Sequence, residues 1–204
     1  MQIVCCDLEG IFVPEIWINV AEKTGIKELR LTTRDISDYD VLMKKRLALL
    51  DENGLKIEDI KAVIATMNPL KGAMEFLEWL RSCTQVIVVS DTFVQFARPL
   101  MKKLGWPTLF CHTLSIAPDG TITGYKLRQQ DSKRHAVISL KSLYYRTIAV
   151  GDSYNDITML KEADAGILHN PPENVKDEFP EFPLSYSFDE LKAILKPMLA
   201  NNIC

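Results

Sequence analysis

The sequence has little of what marks membrane proteins, nucleic-acid-binding proteins and cysteine-based metal domains. No apolar run approaches the roughly 18 residues that span a bilayer, and no block of five or more like charges occurs. The five cysteines include no CxxC pair, and the three histidines lack the spacing of zinc ligands. The amino terminus carries no basic segment followed by a long apolar one. We therefore expect a cytoplasmic protein that binds neither membrane nor nucleic acid and whose partner is a small molecule.

The composition is that of an ordinary globular protein. The chain has 204 residues, of which 47% are hydrophobic and 25% charged, and its net charge is −3 at pH 7. These averages exclude a disordered, collagen-like or coiled-coil protein. The length leaves room for one core domain with a small insertion, and we expect a monomer or a homodimer.

Short β-branched runs alternate with amphipathic segments of helical length, which is typical of βαβ units. Several runs are apolar almost throughout, as strands covered on both faces must be. The sequence therefore predicts an α/β fold, a Rossmann-like parallel sheet with helices on both faces. Asp119-Gly120, between two extended stretches, predicts one antiparallel hairpin. The predicted strands are 3–8, 85–90, 108–114, 147–151 and 165–168.

The segment after the first strand breaks this alternation, because it holds three helical patterns and no convincing strand. We interpret 15–67 as a small helical cap inserted after strand 1, with 1–14 and 68–204 forming the Rossmann-like core. Four prolines in 171–183 predict a surface loop with one short helix. The helices predicted in the cap are 15–24, 40–53 and 57–66.

Polar side chains follow the first two predicted strands. Asp7 and Glu9 come at the end of strand 1, where open parallel sheets bind their ligands, although an ordinary strand-end turn explains such a pair equally well. Ser90, Asp91 and Thr92 follow the second strand. They can cap the next helix, bind an anion at its amino terminus, or do both.

A lysine in the first turn of a predicted helix is the next candidate. Asp131-Ser132 are predicted to cap this helix, and Lys133 follows them directly. A positive charge there opposes the helix dipole unless an anion is nearby. Lys133 is therefore either an anion ligand or a solvated, flexible side chain.

A short acidic run follows the predicted strand 147–151. Asp152 and Asp156 flank Asn155 at the start of another predicted helix. Carboxylates of this kind, together with Asp7 at the same sheet edge, suit a hard cation such as Mg²⁺.

One charged side chain falls within an apolar helix face. On the predicted helix 40–53 the apolar residues form one arc, and Arg46 lies in its middle. A buried arginine requires an anion, which can be a structural carboxylate or the carboxylate of a substrate held by two hydrogen bonds.

These groups, in this order at strand ends, resemble the four motifs of the haloacid dehalogenase superfamily of aspartate-nucleophile phosphotransferases. Within it the chain is similar to phosphoserine phosphatases, in particular to the bifunctional group that also transfers phosphate to homoserine. Asp7-Leu8-Glu9-Gly10 and Ser90-Asp91-Thr92 carry this closer resemblance. The positions that match the four motifs are Asp7 with Glu9, Ser90, Lys133, and Gly151-Asp152 with Asn155-Asp156.

The chain departs from the usual pattern at three places, one of which is Ile11, where the superfamily usually has threonine or valine. Glu9 stands where the superfamily usually has a second aspartate, and Asp91-Thr92 stand where phosphoserine phosphatases usually have two glycines. The resemblance still implies that Asp7 is the nucleophile and Glu9 the general acid and base. It implies Mg²⁺ as cofactor, held by the carboxylates of Asp7 and Asp152 and the backbone carbonyl of Glu9.

The resemblance also divides the substrate-binding residues into two sets. Arg46 would bind the carboxylate of phosphoserine and Glu15 its amino group, while Asp156 would orient the side chains that bind the phosphoryl group. A phosphatase of another small ester, or a catalytically silent phospho-ligand sensor on the same fold, are the alternatives. Ser90, Lys133 and Asn155 would bind the phosphoryl oxygens. The predicted substrate-binding residues are Glu15, Arg46, Ser90, Asp91, Lys133 and Asn155.

Overall fold

The computed structural model describes residues 1–32, 35–36 and 38–199 and is built on one seven-stranded sheet. The strands are β1 (Gln2–Cys6), β2 (Gln85–Phe93), β3 (Thr108–Ile116), β4 (Ile122–Lys126), β5 (Arg146–Gly151), β6 (Ala165–His169) and β7 (Leu184–Ser185). Their order is β4-β3-β2-β1-β5-β6-β7. All neighbours run parallel except β3 and β4, which are antiparallel. The predicted α/β fold with a parallel sheet is confirmed.

Helices precede and follow the strands along the chain. No helix of the described residues is both long enough and apolar enough to cross a membrane. Short 3₁₀ helices cover Lys27–Arg30 and Tyr154–Asp156. The α-helices of the described part are α1 (Ile16–Thr24), α2 (Tyr39–Glu52), α3 (Ile57–Thr66), α4 (Ala73–Cys83), α5 (Val94–Lys103), α6 (Ser132–Ser142), α7 (Ile157–Glu162), α8 (Glu173–Glu178) and α9 (Phe188–Leu195).

Both faces of the sheet are covered, as its apolar strands predict. In the central strand β1, Val4 and Cys6 belong to a hydrophobic cluster formed with α1 to α5 and α9. Ile3 and Cys5 belong to a second cluster, formed with α6, α7 and α8. Burying an aliphatic side chain contributes roughly 1.5–3 kcal/mol. This two-sided burial fixes the carboxyl end of β1, and with it the chain that follows.

Residues 15–67 fold as α1, α2 and α3, with no strand among their described positions. The three predicted helices are confirmed to within one residue at each end. The two chain connections of this segment lie side by side, because Leu70 N–H donates a hydrogen bond of 2.9 Å to the Phe12 carbonyl. The division into a cap of 15–67 and a core of 1–14 and 68–204 stays a prediction.

The hairpin of β3 and β4 turns at Asp119-Gly120, as predicted. Gly120 has φ +86°, a left-handed conformation that glycine adopts at little cost. The hairpin also touches the helical segment at two places. Ile57 N–H, at the start of α3, donates to the Gly120 carbonyl at 2.9 Å. The Tyr125 hydroxyl of β4 donates to Asp40 of α2 at 2.5 Å.

Four elements are absent from the sequence prediction: the 3₁₀ helix Lys27–Arg30, α4, β7 and α9. β7 has two residues, which is too short for periodicity to detect. α9 follows Ser187, whose Oγ accepts the N–H of Glu190 at 3.2 Å. The Ser-x-x-Glu spacing at these two residues is a helix-start signal that could have found it. The short helix predicted within 171–183 is α8.

Candidate active site

A cavity of about 1010 Å³ opens between the carboxyl ends of β1, β2 and β5 and the helices α1 and α2. This is the sheet edge at which open α/β folds bind ligands. Asp156, the tenth predicted site residue, is fully buried and contacts the lysine of the site. The other nine line the cavity: Asp7, Glu9, Glu15, Arg46, Ser90, Asp91, Lys133, Asp152 and Asn155.

The ammonium of Lys133 lies between two carboxylates. Its Nζ is 2.9 Å from Asp7 Oδ1 and 2.8 Å from Asp156 Oδ1, and the side chain is buried. Burial alone would lower the pKa of Lys133, but the charges of Asp156 and Asp7 outweigh it and hold that pKa well above its usual value. The alternative of a solvated, flexible Lys133 is wrong.

Three aspartates form an acidic cluster around this lysine. One carboxylate oxygen each of Asp7, Asp152 and Asp156 lies within 4.8 Å of the other two, and all three residues are buried. Asp156 Oδ2 also accepts the backbone N–H groups of Asp152, at 3.0 Å, and Ser153, at 3.1 Å. These bonds fix the loop that follows β5.

The cluster carries more negative charge than Lys133 offsets. Burial, and then Asp156, raise the pKa of Asp152 to about 7. Burial also raises the pKa of Asp7 well above its usual range, against the opposing effect of Lys133. A divalent cation would remove this mutual repulsion, and buried carboxylate oxygens are the ligands Mg²⁺ prefers. Among the described residues, no other group of acidic, histidine or cysteine side chains is placed to hold an ion.

The carboxyl group of Glu9 lies apart from the three aspartates. Its Oε2 accepts the N–H of Ile16, the first residue of α1, at 2.8 Å. Burial, and then the charge of Glu15, raise the pKa of Glu9 to about 8, so this carboxyl is largely protonated at neutral pH. The metal contact expected through the Glu9 backbone carbonyl stays a prediction.

Two of the predicted helix caps are wrong. Ser90 to Thr92 lie in β2, which continues past them with a shift of register against β3, and α5 begins only at Val94. Ser90 Oγ instead accepts the N–H of Thr92 at 3.2 Å. Asp131 has φ +46° and makes no side-chain cap bond to α6. Its carboxylate accepts from the Thr158 hydroxyl at 2.7 Å.

Asp91 and Asn155 join two of the sequence motifs. Asn155 Nδ2 donates to Asp91 Oδ2 at 3.0 Å. Burial raises the pKa of Asp91, but the charge of Lys133 and hydrogen bonds from His112 and Asn155 outweigh burial and lower it to about 2. Asp91 is therefore ionised at neutral pH.

Arg46 enters the cavity from α2. Its side chain is buried, its guanidinium lies over the Trp17 ring at 4.6 Å, and one NH₂ group donates to the Leu31 carbonyl at 2.8 Å. Burial lowers the pKa of Arg46 to about 10, so it stays charged. Within the described residues its Nε has no hydrogen-bond partner and no carboxylate forms an ion pair with it. The burial predicted from periodicity is confirmed, and the structural carboxylate is not found there.

The sequence prediction misses four aromatic side chains that line the cavity: Trp17, Tyr39, His112 and Tyr154. Tyr39 stands seven residues before Arg46, on the same face of α2, and this spacing could have found it. Its hydroxyl donates to the Asp91 carbonyl at 2.9 Å. His112 lies within β3, and only the strand order brings it to the site, so no local pattern reveals it.

Comparisons with known proteins agree with this geometry. The chain is 62% identical over 192 residues to phosphoserine phosphatase ThrH of Pseudomonas aeruginosa, covering 94% of each chain. It is also 62% identical to a phosphoserine phosphatase of Pseudomonas syringae, covering 94% of this chain and 81% of that one. A solved phosphoserine phosphatase in its apo form superposes with a TM-score of 0.76 at 25% identity, covering 96% of this chain and 98% of that chain. A model of haloacid dehalogenase-like hydrolases matches residues 13–164. The resemblance of the motifs is confirmed, and the chain belongs to the haloacid dehalogenase-like hydrolase family.

Proposed function

We propose that the protein is a magnesium-dependent phosphoserine phosphatase that also transfers the phosphoryl group to homoserine. The observation that carries this proposal is the distribution of charge in one cavity. Asp7 and Lys133, 2.9 Å apart, line it together with the buried guanidinium of Arg46, which forms no ion pair with a carboxylate of the described residues. A phosphate ester with a carboxylate offers its phosphate to Lys133 and its carboxylate to Arg46. The phosphoserine phosphatases at 62% identity support the same substrate.

In the proposed reaction Asp7 acts as nucleophile. Its carboxylate oxygen attacks phosphorus, the bond from phosphorus to the serine oxygen breaks, and an aspartyl-phosphate forms. Glu9 gives its proton to the departing serine oxygen, for which a pKa of about 8 suits it. Water then attacks phosphorus, its proton returns to Glu9, and Asp7 is released.

The cation site of this proposal is the acidic cluster. Asp7 and Asp152, with the backbone carbonyl of Glu9, would hold Mg²⁺, and the carboxylate of Asp156 lies in the same cluster. When bound, Mg²⁺ supplies the positive charge that lets an anionic phosphate approach an anionic nucleophile.

In this proposal three side chains of the cavity bind the phosphoryl oxygens: Ser90, Lys133 and Asn155. Lys133 supplies the positive charge, and the other two supply hydrogen bonds. Asp156 orients this set, because it holds both the Lys133 ammonium and the backbone N–H of Asp152.

The amino acid end of the substrate would lie against the helical segment. The Arg46 guanidinium, with its Nε free of partners in the described structure, can bind a carboxylate by two parallel hydrogen bonds. Glu15, which directly precedes α1, raises the pKa of both Glu9 and Asp152 by its charge, which supports a role for Glu15 in this cavity. We assign the amino group to Glu15.

In this proposal, residues 15–67 are the cap that selects the amino acid end. Residues 1–14 and 68–204 are the core that carries the phosphoryl chemistry. We propose that the enzyme works in the cytoplasm, as a monomer or a homodimer, in biosynthesis of serine and threonine.

Transfer to homoserine follows from the same contacts. An aspartyl-phosphate can be discharged by any hydroxyl that lies at phosphorus and gives its proton to Glu9. Homoserine carries the amino and carboxylate groups of serine on a chain one methylene longer. Arg46 and Glu15 can therefore hold it after serine leaves.

The test is ³¹P NMR of a reaction with Mg²⁺, phosphoserine and increasing homoserine. We expect homoserine phosphate and inorganic phosphate together, with the first rising as homoserine rises. Inorganic phosphate alone at every homoserine concentration would refute the transfer and leave a simple phosphatase. Turnover of sugar phosphates but not of phosphoserine would refute the substrate.

A further inference from the structure

The carboxylate of Asp91 lies beside the proposed phosphoryl site, although a negative charge there repels a phosphate. Asp91 follows Ser90 directly, in the last part of β2. Its Oδ2 accepts from Asn155 Nδ2 at 3.0 Å and is 4.0 Å from Lys133 Nζ. Its Oδ1 is 3.4 Å from both the Ser132 hydroxyl and His112 Nε2. Both oxygens therefore face donors of the protein.

The His112 side chain of β3 contacts the Asp91 carboxylate of the neighbouring strand β2. The backbone N–H of Arg128 donates to His112 Nδ1 at 3.0 Å, so the proton of the neutral ring is on Nε2, the nitrogen that faces Asp91. The ring is buried and packs against Phe93, with 6.3 Å between ring centroids. His112 thus presents a fixed N–H group to the Asp91 carboxylate.

Asp91 also sets the position of two phosphoryl-binding groups. Asn155 is exposed on the 3₁₀ helix after β5, where its Nδ2 bond to Asp91 ties it to β2. Lys133 has Asp7 and Asp156 within 3 Å, and Asp91 adds a third charge from the cavity wall. The backbone carbonyl of Asp91 accepts from Tyr39 of α2, which connects this arrangement to the helical segment.

We propose that Asp91 is a positioning residue, which holds the Asn155 amide and the Lys133 ammonium at the phosphoryl end of the cavity and is itself held by His112. This inference rests on the proposed function for its kinetic consequence. In this role Asp91 does not bind the substrate directly, because its carboxylate is ionised and turned toward donor groups of the protein. A position error of about 1 Å in such a group costs about 10²-fold in rate.

The kinetic test is a double-mutant cycle of Asp91→Ala and Asn155→Ala, assayed with Mg²⁺ on phosphoserine and on p-nitrophenyl phosphate. Asp91→Ala is expected to lower kcat about 30-fold with KM changed less than about threefold, because it misplaces groups and removes a repulsive charge. In the Asn155→Ala background the same change is expected to cost less than about threefold, because the two residues act together. In an Arg46→Ala background its effect on p-nitrophenyl phosphate is expected to be undiminished. An unchanged kcat, or a loss confined to KM, would refute the inference.

A second measurement reads the position of Asn155 without any turnover. The Asn155 side-chain amide signals in ¹H–¹⁵N spectra are assigned by their loss in Asn155→Ala. In Asp91→Ala we expect them to move to the values of a solvent-exposed amide. Signals that stay in place would overturn the inference, whether or not the wild type hydrolyses either ester. A wild type that hydrolyses neither ester refutes the proposed function, and the NMR result alone then decides the role of Asp91.

Discussion

Gly10 leaves open the space that the Asp152 carboxylate occupies. A Cβ atom at Gly10 would lie 2.4 Å from Asp152 Oδ2 and 2.5 Å from its Cγ. Gly10 also has φ +78°, which glycine adopts at no steric cost. The turn after β1 thus brings the backbone against the acidic cluster, and only a residue without a side chain permits this.

Gly10→Ala is expected to displace Asp152 and to weaken Mg²⁺ binding and activity at least about tenfold. Gly25→Ala is the matched control, because Gly25 has φ +76° but no atom within 4 Å of an added Cβ. The strain of a left-handed alanine, about 1 kcal/mol, is common to both variants. The measurements are Mg²⁺ titration calorimetry and phosphate release. Equal effects of the two substitutions would show that strain alone matters.

Asp7→Asn is expected to lower turnover of phosphoserine by at least about 10⁴-fold, because the amide is no nucleophile. The fold should persist, since Lys133 keeps its ion pair with Asp156 at 2.8 Å. In addition, asparagine has nearly the same shape as the aspartate that it replaces. Phosphate release and circular dichroism measure these outcomes, with Asp51→Asn on the exposed face of α2 as control. A folded variant with near-normal turnover contradicts the assignment of the nucleophile.

Arg46→Ala is expected to lower kcat/KM for phosphoserine at least about thirtyfold, because deleting one partner of a desolvated charged hydrogen bond costs roughly 2–5 kcal/mol. Phosphoethanolamine, which has the same amino and phosphate groups but no carboxylate, is the matched substrate. Its kcat/KM should fall much less. Equal losses on both substrates would mean that Arg46 supports only the fold.

Binding of Mg²⁺ is expected to strengthen as the pH rises from 6 to 8. The pKa of Asp152 is raised to about 7, so below pH 7 a proton must leave before the carboxylate can hold a cation. The apparent affinity should fall up to about tenfold per pH unit below 7. Calorimetry in two buffers of unlike ionisation heat counts the proton released. Asp152→Asn should abolish that release, and an affinity independent of pH would contradict this role of Asp152.

His169 is expected to destabilise the fold in acid. Its ring is buried, bonded to Ser185 Oγ at 2.9 Å and stacked on Phe188, and burial lowers the pKa of His169 to about 4. Between pH 4 and 6.5 the unfolded chain takes up a proton at His169 that the folded chain does not. Stability therefore falls as the pH drops through this window, by about 2 kcal/mol between pH 7 and 4.5.

The measurement for His169 is urea unfolding of the wild type and His169→Gln at several pH values. Other groups titrate in both proteins, so the difference between them isolates the histidine. We expect the difference in the free energy of unfolding between wild type and variant to become smaller by about 2 kcal/mol when the pH is lowered from 7 to 4.5. A gap that does not change with pH would contradict the low pKa.

Much of the site can be predicted from the sequence, because the positions of these residues depend on strand ends and helical periodicity and not on the conformation of individual loops. Asp7 and Asp152 directly follow strands of one parallel sheet, and Ser90 lies in the last part of another, so the three meet wherever the intervening loops run. Arg46 is found through helical periodicity. These signals survive small errors in helix or strand ends.

What the sequence misses depends on loop conformation and strand order. His112 reaches the site only because β3 lies beside β2 in the sheet, and periodicity carries no such information. The hydrogen bond of Glu9 to α1 arises from the turn geometry between them. The predicted caps at Ser90 and Asp131 fail because residues with good cap chemistry also serve in strands and left-handed turns.

The helical segment is attached to the rest of the protein at more than its two chain connections. Those connections are hydrogen-bonded to each other at Leu70 and Phe12, so alone they would act as one pivot about which the segment could swing. The hairpin adds a distant third anchor, through Gly120 to Ile57 and through Tyr125 to Asp40. A body held at a pivot and at a second point away from it can turn only about the line that joins the two points. Any other rotation of the helical segment away from the core must break its hydrogen bonds to the hairpin or move β4 with it.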